Sequence, residues 1–297
     1  MVISKFKVGL LGRQGVVGQM YEKLLENHPN FELVFAPLRD NLADVNQSLD
    51  FVFSALPSEA AIMYESLYTK IGIPVFSSAS IHRLKDNIPL IIPEVNGRIL
   101  KNYHGKYIAK PNCSVQSIIL SLYPLHKKFM LKKIHVTSLQ SISGAGRGFD
   151  LKNNIIPYIE GEEEKIKNET RKILNIFDLK VAARCIRIPV DYGHQAFISA
   201  SFYQKPSLEQ VLLCWNNFKG LGLHSSPEKL LEYFEEEDRP QPALDANKEK
   251  GMSISLGRLR KGNVFDIEYT ALSHNLIRGA AGGGVLCAEL FFKEKYK

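Results

Sequence analysis

The opening of the chain constrains its fold more than any other feature. An apolar strand-like run is followed at once by a glycine-rich turn and then by an amphipathic run. Residues 5–11 read Lys-Phe-Lys-Val-Gly-Leu-Leu, which is short and β-prone, and glycines recur at Gly9, Gly12, Gly15 and Gly18. From Val16 to Asn27, the apolar Val17, Met20, Leu24 and Leu25 fall three and four residues apart, the period of one helix face. Glycines at such a turn let a pyrophosphate approach the backbone, and the helix start offers free N–H groups and the positive end of the helix dipole. The spacing is GxxGxxG rather than GxGxxG, so the dinucleotide fingerprint is a variant. Strand-like segments recur at 31–35, 51–56 and 74–77, with helical or loop material between them. This alternation predicts a parallel α/β sheet.

The second strand bears on the cofactor. A site for NAD often carries an acid at this strand's end to bond the ribose 2′-hydroxyl. Here Glu32-Leu-Val-Phe-Ala runs into Pro37-Leu-Arg39. An arginine there favours a 2′-phosphate, and so NADP; an ordinary surface arginine is the alternative.

A second regime starts near Cys113. Residues 114–129 read as a helix with Ile118, Leu122 and Leu125 on one face. Segments 133–140, 181–188 and 195–202 are β-rich and separated by long insertions, one of them an acidic helix from Glu162 to Leu174. That pattern is α+β rather than doubly wound. Residues 279–296 read as a last helix after a glycine-rich turn, and the acidic run Glu235–Asp238 as a solvated helix end. At 297 residues the chain is long enough for two domains.

Four cysteines, at 113, 185, 214 and 287, are too few for a disulfide framework, and none forms a CxxC pair. No metal site is expected. Cys185, Cys214 and Cys287 sit in apolar or helical patterns and read as packing residues. Cys113 differs: Pro111-Asn-Cys-Ser lies where a β-like segment, 107–109, turns into a helix, and a helix start stabilises a thiolate. Two clusters elsewhere suit such a nucleophile. Residues 140–146 (Gln-Ser-Ile-Ser-Gly-Ala-Gly) supply an amide and flexible backbone. Residues 187–194 carry Arg187 and His194, a carboxylate-gripping fork and an acid–base group.

The formal charge of +7 admits nucleic acid, an anionic membrane or small anions as partners. No basic stripe with interleaved aromatics is visible, so nucleic acid is not expected. No apolar run approaches the roughly 20 residues of a membrane helix, and no secretory signal is visible at the start. The expectation is a cytoplasmic protein without a membrane partner.

Together these motifs resemble the aspartate-semialdehyde dehydrogenase family nearly end to end. The resemblance rests on Gly9–Gly18, Ser54-Ala-Leu-Pro-Ser, Pro89-Leu-Ile-Ile-Pro-Glu-Val-Asn, Pro111-Asn-Cys-Ser and Gln140–Gly146. It continues through Gly161-Glu-Glu-Glu-Lys165, Arg187–His194, Gly257-Arg-Leu-Arg and Ser273-His-Asn-Leu-Ile-Arg-Gly-Ala-Ala-Gly282. The phrases at 161–165 and 274–282 look like the archaeal and fungal branch.

The resemblance implies a Rossmann-type dinucleotide-binding domain plus an α+β catalytic and dimerisation domain, as in glyceraldehyde-3-phosphate dehydrogenase. The first would comprise 1–113 and 275–297, the second 114–274. It implies NADPH-dependent reduction of β-aspartyl phosphate to aspartate semialdehyde and phosphate, in biosynthesis of lysine, threonine, methionine and diaminopimelate. Cys113 would be the acyl-accepting nucleophile, His194 the acid–base group, and Gln140 would position the intermediate. Arg187 would grip the substrate carboxylate, Glu162 its amino group and Lys165 phosphate, with Asn112 and Ser114 completing the phosphate and oxyanion surroundings. NADP would meet Gly12, Arg13, Gln14, Gly15, Val16, Val17, Arg39, Ser54, Leu56, Ser78, Gly144 and Gly282. The assembly would be a homodimer or homotetramer.

Two positions depart from the family pattern. Lys110 stands where a small or amide residue is expected, either adding to a phosphate site or facing solvent. Ser78 replaces an expected Asn. The competing readings are N-acetyl-γ-glutamyl-phosphate reductase, with the same chemistry on a longer acyl phosphate, and a catalytically inactive NADP-binding scaffold.

Overall fold

A computed structural model describes residues 5–146 and 148–295 of the chain. They form two compact units, one of residues 1–111 and 280–297, the other of 112–279. Asn112, Cys113 and residues 275–279 therefore pack with the second unit.

The first unit is built on five parallel strands: β1 (Phe6–Leu11), β2 (Phe31–Phe35), β3 (Phe51–Ser54), β4 (Val75–Ser77) and β5 (Tyr107–Ala109). Their order is β2-β1-β3-β4-β5. Helices α1 (Val16–Leu25) and α2 (Ser58–Lys70) connect them. A C-terminal helix, Gly282–Lys295, belongs to the same unit. It starts three residues later than expected, because 277–281 form a π-turn; its expected end at Tyr296 lies outside the described residues. Phe51 and Phe53 of the central strand stack with Tyr21, Phe31, Phe76 and Phe292. These rings anchor the core between helices and sheet.

The order reverses between β1 and β3, so the carboxyl ends of these strands form the crevice where such sheets take ligands. The Gly12 turn lies at this edge. Gly12 has a φ of +85°, and a side chain there would meet the Ala55 carbonyl at 2.9 Å. A side chain at Gly18 would run into the Gly12 carbonyl and the Arg13 backbone. The glycines are thus needed for the tight turn and for close packing of α1 upon it.

The second unit holds a six-stranded mixed sheet. Its elements in chain order are α3 (Val115–Phe129), β6 (Leu131–Ser141), α4 (Glu162–Leu174), β7 (Lys180–Ile188) and β8 (His194–Phe202). Then follow α5 (Leu208–Asn217), β9 (Leu231–Phe234), β10 (Ile254–Lys261) and β11 (Ile267–Ser273). The strand order is β7-β6-β8-β11-β10-β9. Strand β6 pairs with β7 in parallel and with β8 antiparallel. The apolar face of α3, with Ile118, Leu122 and Leu125 fully buried, packs on β6, β8, β10 and β11. Helix α4 begins with three glutamates and ends with Arg171 and Lys172, charges that complement its dipole at both ends.

The fold class expected from the sequence is the one observed, a Rossmann-like parallel sheet plus a mixed α+β unit. Two local expectations are corrected. The acidic run Glu235–Asp238 follows strand β9, not a helix. Lys110 does not face solvent: it is buried, with Nζ donating to the Pro111 carbonyl at 2.9 Å.

Candidate active site

The site in the second unit follows from the two-residue period of its strands. On β6, residues Ile134, Val136, Ser138 and Gln140 point to the α3 face; on β7, Ala183, Cys185 and Arg187 do so; on β8, His194, Ala196 and Ile198. Register then brings the strand ends together. Gln140 pairs with Arg187, Leu139 with Gln195, and His194 with Ser273. Gln140, Arg187 and His194 thus share one face at one end of the sheet, where the chain enters α3.

Cys113 lies two residues before the first residue of α3. Its Sγ is 3.3 Å from His194 Nε2 and 3.5 Å from Asn112 Oδ1. Asn112 Oδ1 also accepts from the Ser114 backbone N–H at 2.9 Å and its hydroxyl at 3.0 Å, a side-chain turn that shapes the loop around sulfur. The Asn112 backbone N–H donates to Glu169 Oε2 at 2.6 Å.

Glu162, first residue of α4, is buried and surrounded by donors. Lys165 Nζ reaches Oε1 at 2.7 Å and Asn112 Nδ2 reaches it at 2.9 Å; Gln140 Nε2 reaches Oε2 at 3.2 Å and the Ser114 hydroxyl at 3.5 Å. Burial alone would raise the Glu162 pKa. The bond and charge of Lys165, with Gln140 and Asn112, outweigh it and hold the carboxyl below the usual range. Arg187 is buried, with Nη1 donating to the Ser141 carbonyl at 2.7 Å; Gly144 lies directly against Arg187 and His194.

Burial, reinforced by the Arg187 charge, pushes the His194 pKa down to about 3. Burial also lowers His274 to about 4. Both rings are neutral at pH 7. The unfolded chain binds a proton at each near pH 6.5 that the folded chain refuses. Stability therefore rises with pH between the folded and unfolded pKa values, and is lost on acidification through that window. For His194 alone this costs about 2 kcal/mol between pH 7.5 and pH 5. Urea titrations at the two pH values should show this loss, reduced by a similar amount in His194→Gln. An unchanged pH dependence in the variant would contradict a buried neutral ring.

All eight candidate residues of the second unit, Asn112, Cys113, Ser114, Gln140, Glu162, Lys165, Arg187 and His194, meet in this one cluster. The other thiols are packing groups: burial raises Cys185 to about 12 and raises Cys214 and Cys287 as well. The sequence reading missed Glu169. It sits seven residues after Glu162, hence on the same face of α4, and that spacing was the available signal. Ser141, Ser143, Asn275 and Gly279 were also missed. A side chain at Gly279 would stand 2.6 Å from Cys113 Cβ. Among the described residues there is no group of three or more His, Cys, Asp or Glu able to hold a metal ion.

In the first unit, Gly12, Arg13, Gln14, Gly15, Val16 and Val17 form the turn and the first residues of α1. Gly15 accepts the N–H of Gln19, which leaves the N–H groups of α1's opening residues directed outward. Ser54 ends β3, Leu56 follows it, and the Ser78 N–H donates to the Ser54 carbonyl at 2.9 Å. These positions follow the carboxyl edge of the sheet. Arg13 is tied to Glu22 at 2.6 Å and to the Ala36 carbonyl at 3.2 Å. Arg39 is exposed in a short turn after β2. Gly282 opens the C-terminal helix. The glycine cradle and the exposed guanidinium fit a phosphorylated dinucleotide.

A dinucleotide-type sheet, joined in one chain to a mixed-sheet unit with a cysteine–histidine pair, defines a phosphorylating aldehyde dehydrogenase class. The comparisons are consistent with this and narrower. A family model described as the semialdehyde dehydrogenase NAD-binding domain matches residues 36–103, and one described as the dimerisation domain matches 122–278. The aspartate-semialdehyde dehydrogenase of Archaeoglobus fulgidus is 36% identical, covering 98% of this chain and 99% of its own. That of Saccharomyces cerevisiae is 35% identical over 95% and 96%. The crystal structure of the Candida albicans enzyme with NADP superposes with a TM-score of 0.88 at 32% identity, over 98% and 99% of the two chains. The chain belongs to the aspartate-semialdehyde dehydrogenase family.

Proposed function

We propose that this chain reduces β-aspartyl phosphate to aspartate semialdehyde with NADPH, through a thioester on Cys113. The carrying observation is the Cys113 Sγ to His194 Nε2 distance of 3.3 Å, beside a buried Arg187 and a buried Glu162. The thiolate attacks the acyl carbon, the C–O bond to phosphate breaks, and the departing phosphate takes up one proton. The thioester divides one hard reduction into two easier steps. When bound, NADPH supplies the hydride that reduces the thioester carbon. The resulting oxyanion collapses with cleavage of the C–S bond, which releases the aldehyde and returns the thiolate. His194 is the acid–base group beside the sulfur, and Gln140 positions the acyl group.

Arg187 grips the substrate carboxylate and Glu162 its ammonium group, while Lys165, Asn112 and Ser114 surround phosphate. The Glu162 carboxyl held below its usual range suits a cationic partner. The turn from Gly12 to Val17 takes the cofactor pyrophosphate and Arg39 its 2′-phosphate; Ser54, Leu56, Ser78, Gly144 and Gly282 complete that site. One guanidinium nitrogen holds Ser141, and the group has further donors for a bidentate carboxylate. Arg187→Lys should raise KM for the semialdehyde about tenfold with a smaller change in kcat, since a point charge cannot copy the fork. An unchanged KM would remove Arg187 from substrate binding.

We also assign a homodimer or homotetramer formed through the second unit, and a cytoplasmic setting. Supporting the first are the dimerisation-domain match and Phe197, which is 46% exposed in mid-strand on the sheet face opposite α3. Among the described residues no helix is long and apolar enough to cross a membrane. One NADPH-oxidation assay tests the activity, with β-aspartyl phosphate and N-acetyl-γ-glutamyl phosphate offered in turn. Turnover of the first is expected. Preference for the second would reassign the substrate, and binding of NADPH with neither turned over would mark an inactive scaffold.

A further inference from the structure

We propose that Asn275, Ser143 and Ser141 form a one-way chain of hydrogen-bond donors that locks His194 as its Nε2–H tautomer and makes it a donor toward Cys113. The proposal rests on the reading of Cys113 and His194 given above.

The direction of each link follows from groups that cannot reverse. The Gly193 backbone N–H can only donate, and Asn275 Oδ1 lies 3.0 Å from it. The Asn275 oxygen therefore faces Gly193, and its Nδ2 faces Ser143 Oγ at 2.9 Å. An amide NH₂ only donates, so Ser143 accepts there and its own proton is free for Ser141 Oγ, 3.3 Å away. The Ser141 hydroxyl then accepts from Ser143 and donates to His194 Nδ1 at 3.2 Å. The Ser141 backbone N–H, again only a donor, reaches the same Nδ1 at 3.2 Å.

Nδ1 thus receives two donors, one of them irreversible. A neutral imidazole has a single unprotonated nitrogen, so the proton sits on Nε2, the atom 3.3 Å from Cys113 Sγ. A second ring proton on Nδ1 would face the Ser141 N–H head-on. Burial opposes that charge as well, in line with the lowered His194 pKa.

The network has a physical origin in the fold. His194 opens β8 and pairs with Ser273 at the end of β11, so Asn275, two residues on, reaches the backbone just before His194. Asn275 is 1% exposed and Ser141 fully buried, where water cannot substitute for a missing link.

The consequence is that His194 does not take the Cys113 proton. Its N–H stabilises the sulfur as thiolate, and a thiol proton is directed instead toward Asn112 Oδ1. The cycle asks for no such transfer, because a thiolate attacks and a thiolate is returned. Asn275, Ser143 and Ser141 act through His194 and are positioning residues.

The test is the tautomer itself. Full-length enzyme labelled with ¹⁵N-histidine, with His194 assigned by its loss in His194→Gln, should show His194 protonated at Nε2 and bare at Nδ1. Asn275→Asp keeps an acceptor for Gly193 but reverses the link to Ser143, whose hydroxyl then donates to the carboxylate. It should raise the His194 pKa, lower kcat about tenfold or more with KM within about twofold, and move the acid limb of the kcat profile upward. Ser143→Ala cuts the chain without adding charge and should give a smaller loss of kcat with the same sign. A wild-type ring protonated at Nδ1 overturns the proposal. So does an Asn275→Asp enzyme whose His194 signals and kcat profile match the wild type. Should that variant fail to fold, the wild-type tautomer decides alone. Failure of the functional reading shows separately, as an enzyme that turns over no acyl phosphate whatever its tautomer.

Discussion

Cys113→Ala abolishes reduction of β-aspartyl phosphate and leaves NADPH binding unchanged: this is the largest effect expected of any single substitution here. The alanine removes the only atom able to form the thioester, and hydride has no acyl carbon to reduce until phosphate has left. The loss in kcat should be on the order of 10⁴-fold or more, the scale seen when a covalent nucleophile is deleted. Cofactor binding should persist because the glycine turn, α1 and Arg39 all belong to the first unit, whereas Cys113 packs with the second. The fold should persist too, since the side chain is only partly buried. Steady-state NADPH oxidation, paired with a fluorescence titration of NADPH, reads both halves. Turnover retained within tenfold would take Cys113 out of the mechanism.

Gly279→Ala should be nearly as damaging, for a steric reason. A Cβ at this position would lie 2.6 Å from Cys113 Cβ and 3.0 Å from its Cα. Such a separation is not tolerated, and the obstacle is backbone and the root of a side chain rather than a flexible tip. Either the 279 strand of chain or the nucleophile loop must move. The loop is tethered by Asn112 to Glu169 and by Asn112 to Ser114, so sulfur shifts relative to His194. Overpacking of this kind costs about 1–3 kcal/mol in stability, which a two-unit protein survives. A displacement of an ångström in the reacting group costs about 10²-fold in rate. The expected result is a folded, NADPH-binding enzyme with kcat down by about 10²-fold and slower alkylation of Cys113. Wild-type kcat in Gly279→Ala would show that the backbone accommodates the methyl without disturbing the thiol.

Legibility of the site in the sequence followed the distance over which each signal acts. The cofactor turn was readable because strand, turn and helix are contiguous, and each glycine answers to neighbours within a few residues, save Ala55 against Gly12. Cys113 was readable from its own setting, a polar turn before a helix. Arg187 and His194 were readable as residue types with suitable chemistry, but their meeting with Cys113 depends on a contact spanning 81 residues. Glu169 and Asn275 were not read. Their functional partners are single backbone N–H groups 57 and 82 residues away, and a backbone group leaves no trace in residue identity. Ser141 and Ser143 looked like flexible loop residues and are links in a directed network. The misread helix at Glu235–Asp238 has a similar source: charge runs mark solvent exposure on a strand end as well as on a helix end, and β9 takes its structure from pairing with β10.

By itself the sequence determined the local elements and the inventory of chemistry. Hydrophobic period set strands against helices, glycines set the turn, and a resemblance running nearly end to end named the family. Only the tertiary structure decided which atoms face one another. Strand register placed Gln140, Arg187 and His194 on one face, and the helix α4 delivered Glu162 and Glu169 to the nucleophile loop. The direction of the bonds into His194 was settled there too, because hydrogen-bond polarity depends on which backbone amides lie within about 3 Å, and folding alone fixes that.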